Sequence, residues 1–126
     1  LPFYKLLLTM AWGKSKGRYK VVPKTQRTKD GIVYDSKHEM LYSMHLDLLM
    51  KSGEVKSYER QVPYLLEVNG HKIAKYILDY KVYYTNGTIE HIDCKASKTL
   101  VEAVYKLKKK LMLAIHGIDI KEVYMK

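Results

Sequence analysis

Residues Tyr76 to Thr99 read Y-I-L-D-Y-K-V-Y-Y-T-N-G-T-I-E-H-I-D-C-K-A-S-K-T, and this stretch decides the fold. It contains two strands rich in Tyr, Val and Ile joined at Asn86-Gly87, the strongest short-range hairpin signal a sequence offers. Three charged residues, Asp79, Asp93 and Lys95, interrupt strands otherwise apolar enough to be buried. A two-residue loop at Asn86-Gly87 would set Asp79 opposite Cys94 and send Asp93 to the other face, because side chains alternate with period two. A three-residue loop, Thr85-Asn86-Gly87 with Gly87 left-handed, pairs Asp79 with Asp93 and puts Lys95 on the same face. Leu78, Tyr80, Val82, Ile92 and Cys94 then form one core stripe. Only the three-residue loop sorts charged from apolar residues, so it is the expected one.

Like charges facing each other across a strand pair repel. A divalent cation relieves that repulsion, and hard Mg²⁺ is commonly held by one or two carboxylates together with waters and phosphate oxygens. A lysine two residues on can orient an attacking water or steady the charge that builds on a phosphate. The short pattern D-x-K alone is weak, since an exposed strand-end ion pair reads the same way.

The chain has 126 residues and a formal net charge of +10, which suits one domain with a polyanionic partner, nucleic acid before membrane. The single cysteine, Cys94, excludes an internal disulfide framework and a cysteine-rich zinc site, and points to a reducing cytoplasm. No run has the length to span a bilayer. Met10 reads as a natural start, so nothing is rested on Leu1 to Thr9.

Residues 1–29 form a basic arm, expected to be flexible. From Trp12 onward it carries Lys14, Lys16, Arg18, Lys20, Lys24, Arg27 and Lys29 with no acidic residue, a pattern suited to phosphate contacts. Trp12 and Tyr19 among the charges could stack on bases. Residues 30–126 are the single folded domain. Asp30-Gly31 turns into an extended piece, and Ser36 N-caps a helix that runs to about Lys51. Its core stripe is Met40, Leu41, Met44 and Leu48. A second apolar line, Tyr42, Leu46 and Met50, is spare for a dimer contact. Ser36 and Glu39 make a capping box, which by itself accounts for Glu39.

Glu54 to Val68 reads as two strand segments broken at Pro63, an edge or bulge signal. Thr99 and Glu102 form a second capping box. It opens a helix to about His116 with Leu100, Ala103, Val104, Leu107, Leu111, Ala114 and Ile115 inward, and Lys106, Lys109 and Lys110 outward as a possible phosphate track. Ile118 to Tyr124 is a last strand. The five histidines lack metal-ligand spacing, although His91 falls opposite Lys81 on the charged face.

The order helix, strand, strand, strand, helix, strand, with an acid on the first helix and D…D-x-K across the central hairpin, resembles the PD-(D/E)XK nuclease superfamily. It is most similar to the small phage and archaeal-type Holliday junction resolvases. D-G-I-V-Y-D-S-K-H-E at Asp30 to Glu39, the Gln61-Val-Pro segment and I-D-C-K-A-S-K-T followed by Y-K-L-K-K-K-L carry the likeness. It implies an α/β (α+β sandwich) fold with an αβββαβ restriction-endonuclease-like core, a central mixed sheet flanked by helices. It also implies Mg²⁺, with Mn²⁺ substituting, held by Glu39, Asp79, Asp93 and the Cys94 carbonyl.

Lys95 becomes the catalytic lysine, Gln61 an accessory polar residue, and Ser97, Lys98 and Thr99 phosphate contacts. The implied protein is a homodimer that nicks four-way DNA junctions symmetrically in the cytoplasm, of a bacterial host if phage-encoded, with no membrane and no organic cofactor. Leu78 stands where the motif expects Pro, and Asp93 replaces the commoner Glu. Two alternatives stay open: a general phage endo- or exonuclease on duplex, flap or single-stranded DNA, and an inactive DNA-binding module of the same fold.

Overall fold

A computed structural model describes residues 22–95 and 102–124. A 3₁₀ turn (Lys24–Arg27) leads into a small hairpin, β1 (Thr28–Lys29) and β2 (Ile32–Val33), followed by helix α1 (Lys37–Ser52). Three long antiparallel strands come next, β3 (Val55–Val68), β4 (His71–Tyr84) and β5 (Ile89–Lys95). Helix α2 (Ala103–His116) then crosses over to β6 (Ile120–Tyr124). The main sheet has the order β3-β4-β5-β6, antiparallel except for the parallel pair β5/β6. It is therefore a mixed sheet with two helices, the α+β sandwich expected.

The β4–β5 turn takes the three-residue form. Tyr84 N–H donates to Thr88 O at 2.9 Å, Gly87 N–H donates to Tyr84 O at 3.0 Å, and Gly87 has φ +93°. That φ needs a residue without Cβ. Asn86 Oδ1 accepts from both Thr88 N–H and Thr88 Oγ1, which locks the loop. The ladder then runs Tyr83↔Ile89, Val82↔Glu90, Lys81↔His91 and Tyr80↔Ile92. The ladder ends there, and Asp79 and Asp93 are the next residues along the two strands.

The helices cover opposite faces of β5 and β6. On β5 and β6, Ile92, Cys94 and Val123 belong to the core under α1, whereas Ile120 joins the core under α2. Leu41, Tyr42 and Leu46 of α1 meet Tyr80, Val82 and Ile92, while Tyr105 and Met112 of α2 meet Leu66, Tyr76 and Leu78. Each such fully buried apolar side chain contributes roughly 1.5–3 kcal/mol.

Leu78 and Tyr80, expected in one stripe, thus enter different cores. The β3/β4 ribbon rolls over between Arg60↔Tyr80 and Val62↔Leu78, and the residue between, Gln61, has the left-handed φ of +51° that permits it. For a non-glycine residue that conformation is uncommon, and it concentrates at functional positions.

Other expectations are corrected. β3 runs unbroken through Pro63, because β3 is an edge strand where a missing N–H costs no ladder bond. The inward face of α1 lies between the two apolar lines: Tyr42 and Leu46 are buried and Leu48 is exposed, so no spare Tyr42-Leu46 line is left for a dimer. Helix α2 starts at Ala103 with Glu102 as N-cap residue, and its buried residues are Tyr105 and Met112, with Leu111 and Ile115 packed against that core as expected. Val104 and Leu107 face outward, because Lys109 and Tyr105 turn inward to reach Glu122 on β6. The basic arm gives up its last residues to the fold: Arg27 donates from Nε to Val22 O at 3.0 Å and from Nη1 to Tyr34 O. Among the described residues no helix is long and apolar enough to cross a membrane.

Candidate active site

Four expected residues meet where β4 and β5 part company. The β4–β5 ladder ends at Tyr80↔Ile92, and the Oδ2 of the next residue, Asp79, reaches across to accept from Cys94 N–H at 2.8 Å. Asp93 is buried, and its Oδ2 lies 2.6 Å from Lys95 Nζ. That contact is an ion pair out of hydrogen-bond alignment, since the same oxygen meets no hydrogen-bond donor. Lys95 Nζ also sits 3.5 Å over the Tyr105 ring, so α2 and Asp93 fix it between them.

Glu39 arrives from the first turn of α1. Ser36 caps the helix as expected, its Oγ accepting from Glu39 N–H at 3.1 Å. The Glu39 side chain is buried, however, and its Oε2 has no hydrogen-bond partner. Tyr80 anchors this turn to the sheet by donating its hydroxyl to Glu39 O at 2.6 Å.

The carboxylates feel one another. Burial, then the charges of Glu39 and Asp93, push the Asp79 carboxyl up to about 9, against the opposing Cys94 N–H bond. Burial, then Asp35, push Glu39 up to about 7; Asp93 adds to the rise, while Arg60 and Lys95 counter it. Burial raises the Cys94 thiol, and all three carboxylates push it further. Such raised acids signal crowded negative charge lacking a counter-ion.

Oxygen donors of this kind suit a hard divalent cation, and Glu39 Oε2 and Asp93 Oδ2 are buried without a hydrogen-bond partner. As they stand, no three His, Cys, Asp or Glu side chains among the described residues are grouped to hold a metal ion. Asp79 is engaged with Cys94 and Asp93 with Lys95, so a closed cage needs those side chains to turn.

Gln61 and Asp79 both fall between the ladder pairs Arg60↔Tyr80 and Val62↔Leu78, and Gln61 Nε2 is buried and unpartnered. His91 does pair with Lys81, and its imidazole is held below the ordinary value by burial and by that lysine. The basic residues divide. Lys29 binds Asp47 at 2.5 Å, Lys109 binds Glu122 at 2.9 Å and Arg27 clamps backbone, whereas Lys24, Lys106 and Lys110 are exposed. Lys14, Lys16, Arg18, Lys20, Ser97, Lys98 and Thr99 lie outside the described residues.

Residues 18–125 match a family described only as a protein of unknown function, DUF1064. The chain belongs to the DUF1064 family. No curated protein and no solved structure matches it significantly. In this DUF1064 chain, three residues close to the acids went unread in the sequence. Tyr76 has a buried, unpartnered hydroxyl whose acidity is lowered by burial first and then by Asp93. Tyr105 carries Lys95 and donates to Glu122 at 2.9 Å. Arg60 stacks on Tyr34. Strand alternation hides Tyr76 and Arg60, because it assumes a ribbon that does not roll at Gln61.

Proposed function

We propose that this DUF1064 chain is a Mg²⁺-dependent, structure-selective DNA endonuclease of the PD-(D/E)XK type, a Holliday junction resolvase that nicks four-way junctions symmetrically as a homodimer. The reading rests on one observation: Asp79 and Asp93 are the residues just past the last ladder pair of the hairpin, Tyr80↔Ile92, with Lys95 ion-paired to Asp93 and the charge of buried Glu39 felt at Asp79. A bare structural role explains this poorly, since isolated buried carboxylates are costly and here repel one another.

In this reading Asp79, Asp93 and Glu39, with the Cys94 carbonyl, would hold Mg²⁺ or Mn²⁺, and the cation when bound would supply Lewis-acid chemistry to water and phosphate. Lys95, steadied by Asp93 and the Tyr105 ring, hydrogen-bonds the attacking water or a non-bridging oxygen. Gln61, held by its left-handed backbone, presents its amide beside Asp79. Lys24, Lys106 and Lys110, with the arm residues and Ser97, Lys98 and Thr99, contact phosphates and so bind without reading sequence. The enzyme acts in the cytoplasm, of a bacterial host if phage-encoded.

The test is cleavage of labelled four-way junction, flap, duplex and single strands in Mg²⁺, Mn²⁺ or EDTA, beside Asp79→Asn. Paired, metal-dependent nicks in the junction, lost in Asp79→Asn while binding persists, are expected. Equal cutting of linear duplex would replace the resolvase with a general nuclease. Binding without any cutting would leave an inactive module.

A further inference from the structure

We propose that Arg60 is the anchor for a DNA phosphate beside the one being cut, held in place for that purpose by Tyr34. The proposal rests on the nuclease reading and adds to it a residue that binds substrate rather than metal.

Arg60 sits on edge strand β3 opposite Tyr80, one position from both Gln61 and the ladder step that holds Asp79. Its guanidinium lies 4.0 Å from the centre of the Tyr34 ring, and Tyr34 is itself almost wholly buried. A rigid aromatic floor therefore sets the plane of the guanidinium before any ligand arrives, which lowers the ordering cost of binding. Stacking uses one face of the group and leaves its edge donors uncommitted.

Those donors lack a partner. Among the described residues Arg60 enters no ion pair, and its Nε is buried without a hydrogen-bond acceptor. A half-buried arginine in that state is expensive unless something anionic completes it. Its charge is felt by Glu39, so it stands near the acids without neutralising them through a direct pair. Arg60 also lines an open cleft of about 410 Å³ with Lys29, Asp30, Tyr34, Asp47 and Tyr58, so a solute can reach it.

The charged neighbours in that cleft are already matched. Lys29 and the Tyr58 hydroxyl take the two oxygens of Asp47, at 2.5 and 2.7 Å. Both acids of the cleft, Asp30 and Asp47, lie against Lys29, which leaves Arg60 as its cation without a direct ion pair, and a tetrahedral phosphate oxygen pair fits the planar fork of an arginine. A strand whose reacting phosphate lies at Asp79 and Asp93 would bring an adjacent phosphodiester to Arg60.

The experiment measures anisotropy of a fluorescein-labelled four-way junction in EDTA, with the full chain carrying Asp79→Asn to prevent cutting. Added Arg60→Gln should weaken binding about ten- to hundred-fold. The slope of log affinity against log salt should fall by about one. Arg60→Lys should recover part of the loss, since it keeps the charge but neither the fork nor the stack. Affinity and slope unchanged in Arg60→Gln overturn the proposal; if that variant does not fold, unchanged affinity in Arg60→Lys does the same. If wild type cuts DNA while Arg60→Gln binds and cuts as well, the anchor falls and the nuclease stands. If wild type cuts nothing yet Arg60 variants still lose binding, the nuclease falls and Arg60 stands only as a DNA phosphate contact.

Discussion

The two sides of the β4–β5 ribbon contrast sharply in chemistry although they are built from alternate residues of the same strands. On one side Tyr80, Val82 and Ile92 are fully buried against α1, and the polar atom of Tyr80 finds Glu39 O. On the other, Asp79, Asp93 and Lys95 crowd together with buried carboxylate oxygens left over. The first side stabilises the fold. The second costs it stability, through buried carboxyls held well above their ordinary range, and such perturbed groups cluster at functional sites.

The comparison breaks most visibly if Asp79 is replaced. Asp79→Asn should reduce Mg²⁺-dependent junction cleavage at least about 10²-fold, the scale seen when one preorganised charge leaves an active site. The same variant should melt higher than wild type in EDTA at neutral pH, because the cost of keeping a buried carboxyl protonated is gone. A lower melting temperature would mean that Asp79 is a structural carboxylate satisfied by Cys94 N–H.

On the apolar side the signs reverse. Ile92→Ala should cost about 3 kcal/mol of stability, and Met112→Ala in the second core about the same, both read by denaturant unfolding. Cleavage per folded molecule should stay at the wild-type level. Activity lost in proportion beyond the unfolded fraction would show that the two sides are mechanically linked.

A pH series sharpens the contrast further. Asp79, pushed up to about 9, and Glu39, pushed up to about 7, hold protons in the folded state at pH values where the unfolded chain has released them. The folded state then binds more protons than the unfolded one between about pH 4 and pH 9, so stability falls as pH rises through that window. In EDTA the melting temperature should drop by several degrees from pH 5 to pH 9, at about 4 °C per kcal/mol. Mg²⁺ should restore it at the alkaline end, and Asp79→Asn should flatten the curve. A profile that rises with pH would remove the repulsion from the account.

Much of this was legible in the chain. Asn86-Gly87 and the need to separate charge from apolar surface sufficed for the hairpin register, and Ser36 with Gly53 bounded α1 to within a residue. Local chemistry determines such features. Arg60, Tyr76 and the split between Leu78 and Tyr80 were not legible, because they follow from a roll at Gln61 that no residue type announces. Lys29, Arg27 and Lys109 read as phosphate contacts from charge alone, and only tertiary packing supplied their partners Asp47, Tyr34 and Glu122.

The smallest expected effect tests the outer face of α2. Val104 and Leu107 stand three residues apart, one above the other on the helix, and are 60% and 57% exposed. Their apolar periodicity pointed inward, yet the turn of the helix is set by Tyr105 and Lys109 reaching Glu122, and this outweighs a pair of aliphatic contacts. Leu107→Ser removes no buried atom from the described core, so it should change stability by no more than about 0.5 kcal/mol. It should also leave the sedimentation behaviour as in wild type. A loss above about 1.5 kcal/mol, or a halved mass in solution, would mean that this face is covered in the working protein, and that the contact between protomers, expected on α1, belongs on α2.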